Sequence, residues 1–405
     1  MIRSAISLGV IQVISYVVPF ATLAIVGRLA PGQAISGFLF VQSLAALLSI
    51  IVDYGFHLSA VRMTGEALTA GTERQTYSTI HACKAILFAF SVLIIIGVAF
   101  FDSQMRITPD MLLGISLAAF SYGARPIWYF QAHGKYWRLI KTELAASSVS
   151  LIAVTVVALY FPQPGILAIA WAAPRFIATV ALIAGIHRSH GFEWIPLQAL
   201  MSTLRDSFLL FLHKSAASAV HLGVPVVTAF LLPPMDLLSF QKAERIFTAI
   251  QSLLLVVSQA SYALIVKHNS ESDLTRRIAL RATFYQVSIS FLATILVVLT
   301  APWLMLLFWG DRNFDTTLLQ LYALGFSLLA INAALGLNYL LPRKCDMVVV
   351  AAAISGAVVT MASVYIFTSL WGPQGAIFSV LSGEFCMLIV MSSSLLVGRR
   401  LTSKK

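Results

Sequence analysis

The side chains able to do chemistry in this 405-residue chain are few, and most sit inside long apolar runs. Lys214, Ser218, His221 and Pro225 recur at offsets of 4, 7 and 11, which puts them on one face of a helix. Gln241, Arg245, Thr248, Ser252 and Gln259 do the same at 4, 7, 11 and 18, with Lys242 and Glu244 close by. Gln42, Ser49 and Asp53 form a third stripe, and Gln12, Tyr16 and Pro19 mark a fourth segment. Lys84, Arg125, Glu143, Arg175 and Glu384 stand singly among Leu, Ile, Val, Ala and Phe. Lys and Arg donors are the usual partners of phosphate and carboxylate, and amides and hydroxyls suit sugar-like ligands.

Covalent chemistry has no comparable support. There is no GxxxxGK[ST] phosphate loop, and no HExxH, GxSxG or GxGxxG motif. The eight histidines are scattered; His133, His187 and His190 fall in or beside loops and read as solvated. Cys83, Cys345 and Cys386 lack the spacing of a zinc site or a disulfide framework. No cofactor or metal is expected. Neither is nucleic acid, despite a net charge of +11.

The elements that must position these groups follow from composition. Hydrophobic residues make up 59% of the chain and charged ones 11%, against about 25% charged in soluble domains. Mean hydropathy is +0.89. A soluble globular enzyme and a disordered chain are both excluded. A helix needs about 20 apolar residues to cross a bilayer, and twelve stretches meet that test: roughly 4–27, 35–58, 78–101, 110–132, 143–162, 165–187, 207–232, 237–266, 282–309, 315–341, 347–370 and 374–397. Pro and Gly clusters at 161–165 and 371–375 predict tight hairpins.

With twelve spans, 18 of the 27 Lys and Arg fall on the side of the termini and 3 on the other. By the positive-inside rule both termini are cytoplasmic. The longest cytoplasmic connection, 188–206, lies at the midpoint. The expected fold is therefore an all-α polytopic membrane protein, with twelve transmembrane helices in two six-helix bundles, 1–200 and 201–405, around a central cavity. Six spans return the chain to its starting side, so the halves would be parallel repeats.

Charges within spans are costly and normally face a wet cavity or a partner. Basic groups outnumber deep acids there, chiefly Glu384, so a pathway of this kind favours anionic cargo. Candidate substrate-binding residues are Lys214, Arg245, Lys242, Lys84, Arg175, Gln42, Asp53, His221, Gln241 and Gln259; Glu384 is the candidate for ion coupling. The bland alternative is packing: Ser, Thr and Gln often bond neighbouring helices, Lys and Arg snorkel, and Glu143 is a candidate ion-pair partner for Arg125.

Three stretches carry a family resemblance. Phe40 to Arg62, with Asp53-Tyr54-Gly55-Phe56 at its centre, resembles the span 2 signature of the bacterial Wzx-type flippases. Leu237 to Lys267, opening on Ala243-Glu244-Arg245-Ile246, resembles the span 8 segment of the same family, with Tyr262-Ala263 where Tyr-Pro is common. Arg125 to Leu139 is similar to its span 4 exit, with Ala132 where Gly is common. The resemblance implies a member of the multidrug/oligosaccharidyl-lipid/polysaccharide exporter superfamily. Its implied activity is translocation of undecaprenyl-pyrophosphate-linked oligosaccharide, an O-antigen or exopolysaccharide repeat unit, across the bacterial inner membrane by alternating access. It also implies membrane lipid as a partner, and a polysaccharide polymerase and chain-length regulator alongside.

The rival readings are a multidrug or cation antiporter of the same superfamily, which would need a deep carboxylate, a membrane-embedded polysaccharide polymerase, which would need a substantial outer loop, and a membrane scaffold without a transport role. Span 1 contains no acid and the outer loops are short.

Overall fold

Residues 21–101, 107–266, 273–310, 315–343 and 345–402 are described by a computed structural model. Every element among them is helical. After a short helical stretch at 21–29, the order is α1 (Gly32–Asp53), α2 (Phe56–Ala70), α3 (Glu73–Phe101), α4 (Pro109–Gly123), α5 (Ile127–Ala132), α6 (Tyr136–Tyr160), α7 (Pro164–His190) and α8 (Leu197–Ser218). A π-helical turn, Ala219–Gly223, joins α8 to α9 (Val224–Leu231). Then come α10 (Pro234–Val266), α11 (Asp273–Trp309), α12 (Thr317–Ala334), a second π segment (Leu335–Leu340) and α13 (Asp346–Thr402).

Among the described residues seven helices are long and apolar enough to cross a membrane, which makes the chain a multi-pass membrane protein. The expected total of twelve does not emerge from that criterion, for local reasons. Most of the first expected span lies outside the described residues. The fourth is broken at Ala124-Arg125-Pro126, between α4 and α5, because Pro126 lacks an N–H and biases Arg125 away from helical geometry. The seventh is interrupted by the π turn. The eighth is the continuous α10, whose polar positions lower its hydropathy. The last two form one assigned helix, α13, bent at Gly372 (φ 57°, ψ −137°), where a hairpin was predicted.

The second expected span is also cut short. α1 ends at Asp53, and Tyr54 (φ 46°) and Gly55 (φ 77°) turn the chain into α2. Glycine is required at 55 twice over. The left-handed backbone disfavours a side chain, and a Cβ there would lie 2.9 Å from both the Leu210 Cβ and the Phe211 nitrogen.

By internal packing the chain divides into Met1–Ser215 and Ala216–Lys405. The division falls at the end of α8 rather than in the 188–206 connection. α8 packs with the first unit because the Asp53-Tyr54-Gly55 corner holds it: the Tyr54 ring stacks on Phe211 at 4.5 Å, and Ser59 and Ser207 share a 2.9 Å hydrogen bond.

In the first unit α4 packs against α7 and α1. Gly114 meets Ala168 closely enough that no side chain would fit between them. Lipid is as apolar as the helix faces, so small-residue contacts and van der Waals packing hold such helices together. Trp128, Tyr77, Phe56 and Phe130 fill the core between α2, α3 and α5. In the second unit α12 packs against α10, α11 and α13. Phe247 of α10 stacks between Tyr322 and Phe326 of α12 at 4.7 and 4.8 Å.

Candidate functional site

The intramembrane charges of the first unit form two buried clusters on either side of the α4–α5 break. In one, Asp53 ends α1 and Lys84 reaches it from α3. The Lys84 Nζ lies 3.2 Å from the Asp53 Oδ1 and donates to the Gly123 carbonyl at 2.6 Å. The other Asp53 oxygen is 2.8 Å from the His57 Nδ1. The break in α4 leaves the Gly123 carbonyl available, and Lys84 satisfies it. In this arrangement Lys84 is neutralised by Asp53.

In the other cluster Glu143 of α6, the candidate partner of Arg125, receives its Nη1 at 2.7 Å, and the Arg175 Nε lies 3.7 Å from its second oxygen. Arg175 also donates to the Ser150 hydroxyl at 3.0 Å, the Trp171 carbonyl at 3.1 Å and the Ser147 hydroxyl at 3.3 Å. Two guanidinium groups share one carboxylate, which leaves this cluster with net positive charge.

A third group was not anticipated. His133, His187 and His190 were expected to be solvated; instead all are partly buried around Tyr77, together with His81. The Tyr77 ring lies 5.0 Å from His190 and 5.3 Å from Tyr129, and the His81 Nδ1 is 2.9 Å from the His187 Nε2. Burial is tolerated because backbone carbonyls accept from the rings: Tyr129 for His133, Gly191 for His187 and Ile186 for His190. The i, i+4 pair Tyr77/His81 and the i, i+3 pair His187/His190 were legible as shared faces. That the two faces meet was not.

In the second unit Glu384, only 2% exposed, is the centre of a small polar cluster. Asn332 of α12 donates to the Glu384 Oε2 at 2.7 Å and to its backbone carbonyl at 2.8 Å. The His221 Nε2 is 3.4 Å from the other carboxylate oxygen. His221 occupies the π turn, a local widening of the helix often found where a side chain must be re-aimed for function. Asn332 was missed in the sequence because a single Asn in an apolar span reads as a packing residue.

On α10, the Arg245 Nε lies 3.6 Å from the Glu244 Oε2, and Glu244 also accepts from the Thr248 hydroxyl at 2.7 Å. Lys242 is buried with its ammonium 5.3 Å from the centre of the Trp309 ring, and Gln241 is buried beside it in sequence. Gln42 is half-buried on α1. The side chains of Lys214 and Gln259 lie outside the described residues. The structure thus brings Asp53 together with Lys84, and His221 together with Glu384, while Arg175 joins Arg125 and Glu143.

Among the described groups that are buried or part-buried, Lys84, Arg125, Arg175, Lys242 and Arg245 stand beside Asp53, Glu143, Glu244 and Glu384. Acids that seemed shallow along the chain are drawn into the same clusters as the bases.

Residues 1–268 match the model of a family described as polysaccharide biosynthesis protein. The chain belongs to this family. A curated relative from Escherichia coli (strain K12), the "Putative O-antigen transporter", is 26% identical over 272 residues, which span 64% of this chain and 63% of the relative. A relative of the same name from Shigella dysenteriae is 21% identical over 388 residues, 93% of this chain and 95% of that one. Among solved structures, the lipid II flippase MurJ in an inward closed conformation superposes with a TM-score of 0.76 at 14% identity, covering 97% of this chain and 87% of MurJ. An inward-facing multidrug resistance transporter of the MATE family, from the MOP superfamily, superposes with a TM-score of 0.70 at 16% identity, covering 97% and 95%. The family member described here therefore has a membrane-transporter fold, shared by flippases and drug exporters alike.

Proposed function

We propose that the protein is a flippase that moves an undecaprenyl-pyrophosphate-linked oligosaccharide, the repeat unit of an O-antigen or exopolysaccharide, from the inner to the outer leaflet of a bacterial inner membrane. The observation that carries this reading is the likeness, over nearly the whole chain, to a relative named as an O-antigen transporter. The fold shared with a lipid II flippase supports it. Both termini are cytoplasmic in this reading, twelve helices cross the membrane, and two lobes rock about a cavity between them. The head group enters the cavity while the lipid tail stays in the bilayer. Desolvating a pyrophosphate in hydrocarbon would cost on the order of tens of kcal/mol, and cations in a wet pathway remove most of that cost. Lys214, Arg245 and Lys242 are the anion-binding candidates. Lys84 and Arg175, each held beside a carboxylate, are suited to shaping the first lobe, with Asp53. Gln42, Gln241, Gln259 and His221 supply hydrogen bonds to sugar hydroxyls.

Glu384 is the coupling group in this scheme. A deep carboxylate held by Asn332 and faced by His221 is suited to take up and release a small cation or proton. The same feature favours the second reading, a cation-coupled drug antiporter of the same superfamily.

Deleting the gene separates the readings. A flippase mutant accumulates lipid-linked repeat units facing the cytoplasm and loses surface polymer, and charge reversal at Lys214 or Arg245 reproduces that loss at normal protein levels. Accumulation on the periplasmic side would identify a polymerase instead. Unchanged polymer with new drug sensitivity would identify the antiporter.

A further inference from the structure

Where the start of α6 meets the end of α7, the fold leaves a group of cations without counter-charge. Lys135, Arg138 and Lys141 lie at the start of α6 and Arg188 in the last turn of α7, and all four are exposed. The two helices are consecutive, joined only by residues 161–163, and pack side by side. Counting back from that hairpin sets Arg138 level with the last turns of α7. The contacts agree: the Arg138 Nη2 lies against Gly185, 3.3 Å from where a Cβ on that residue would be. Arg188 is one turn further along the same face of α7. Lys141 follows Arg138 by one turn, with its ammonium 5.6 Å from the centre of the Trp137 ring.

Other charges near this end of the unit have partners. Arg62 lies 3.9 Å from Glu66, Arg74 donates to the Phe192 carbonyl at 2.6 Å, and Glu73 is 3.7 Å from the His190 Nε2. Glu143, one turn below Arg138, is taken by Arg125 and Arg175. Among the described residues no carboxylate lies within ion-pair distance of Lys135, Arg138, Lys141 or Arg188, and the first turn of α6 has no acid. Four like charges so placed repel one another, and the positive end of the α6 dipole adds to the repulsion. An anion from outside the protein relieves both.

The surface below the cations decides which anion. Trp137 is 60% exposed, and Trp at the end of a span marks the level of the lipid head groups. Deeper along the same faces the exposed positions are small and then apolar: Ala145, Ser148 and Ile152 on α6, Ala181 and Ile177 on α7. Ile152 and Ile177 are each 65% exposed, so this surface faces acyl chains. A soluble anion would meet the cations and leave the apolar strip unused. A lipid with an anionic head meets both, as basic pockets between membrane helices do.

We infer that the α6–α7 pair binds an anionic phospholipid of the leaflet it faces, the inner one in the orientation proposed above. The phosphodiester accepts from the Arg138 and Arg188 guanidinium groups, which suit phosphate, while Lys135 and Lys141 add charge at its edge. One acyl chain runs down the furrow left by Ala145 and Ala181. This lipid is a resident of the protein rather than its cargo, so the site does not depend on the flippase reading.

The test uses the full-length protein in phosphatidylcholine nanodiscs holding a trace of one of two photoprobes, phosphatidylglycerol or phosphatidylcholine with the same diazirine-bearing chains. Phosphatidylglycerol is expected to label peptides within 141–152 and 177–188 on the order of tenfold more than phosphatidylcholine, as two basic groups beside an anionic head allow. Joint replacement Arg138→Gln and Arg188→Gln should bring the two lipids to the same level, whereas Arg62→Gln, which removes a cation already beside Glu66, should leave the preference intact. Equal labelling of the wild-type protein by both lipids overturns the proposal, and that comparison needs no variant to fold. A preference that survives the double variant overturns it as well. So does displacement of the probe by glycerol phosphate, since the head alone would then suffice, or by undecaprenyl phosphate as readily as by phosphatidylglycerol, since the site would then hold cargo. A strain lacking the gene that keeps normal surface polymer would overturn the flippase reading and leave the phosphatidylglycerol preference standing.

Discussion

Glu143 holds two arginines, and its loss should be felt more than that of either partner. Breaking a buried ion pair from one side leaves an uncompensated charge, which typically costs about 3–5 kcal/mol. Glu143→Ala should therefore lower thermal stability sharply in purified protein. Adding Arg125→Met to it should restore part of the loss, because Arg175 keeps Ser147, Ser150 and the Trp171 carbonyl. A Glu143→Ala protein that melts with the wild type would show that the cluster is wetter than its burial implies. Glu384 makes a different prediction. Glu384→Gln keeps the shape and an oxygen to accept from Asn332, but removes the charge. Folding and membrane levels should be normal while surface polysaccharide falls at least tenfold. Normal polymer in this variant would remove Glu384 from coupling. The Arg125–Glu143 pair was legible in the sequence, since both lie near the same end of consecutive spans. The Lys84–Asp53 pair was not, because Lys84 and Asp53 belong to spans whose mutual rotation no local pattern specifies.

At the level of elements, the corner between α1 and α2 is the feature most open to test. Gly55 and Gly71 both have positive φ, 77° and 70°. A Cβ at 55 would press on Leu210 and Phe211, whereas one at 71 meets nothing within 4 Å. Gly71→Ala should carry only the backbone cost, about 1 kcal/mol. Gly55→Ala should add steric displacement of α8, for a total of about 2–4 kcal/mol. Thermal melting of the two variants side by side measures the difference, and equal losses would mean that α8 is not held by this corner. Helix breaks at Pro126 and Gly372 were legible, since Pro and Gly act through their own backbone. The π turn at 219–223 was not. Pro225, which has no N–H to give the His221 carbonyl, marked a kink near it, but not that the chain would widen to a π turn.

For the whole molecule, the proposed topology predicts where each loop lies. Alkaline phosphatase fused after Gln163 should be active and after Phe192 inactive, with green fluorescent protein at the C-terminus fluorescent. The reverse pattern would invert the orientation, and matching activity at 163 and 192 would break the span count between them. Composition and the distribution of Lys and Arg were enough to read a polytopic membrane protein, since the cost of burying charge in lipid acts residue by residue and leaves its mark along the chain. Which charges neutralise one another, which histidines meet, and whether α8 packs with the first or the second unit depended on tertiary structure. Those outcomes depend on how helices far apart in sequence are rotated and set against each other. In a bilayer that is decided by close packing and a few polar contacts, which bring together residues that share no local sequence pattern.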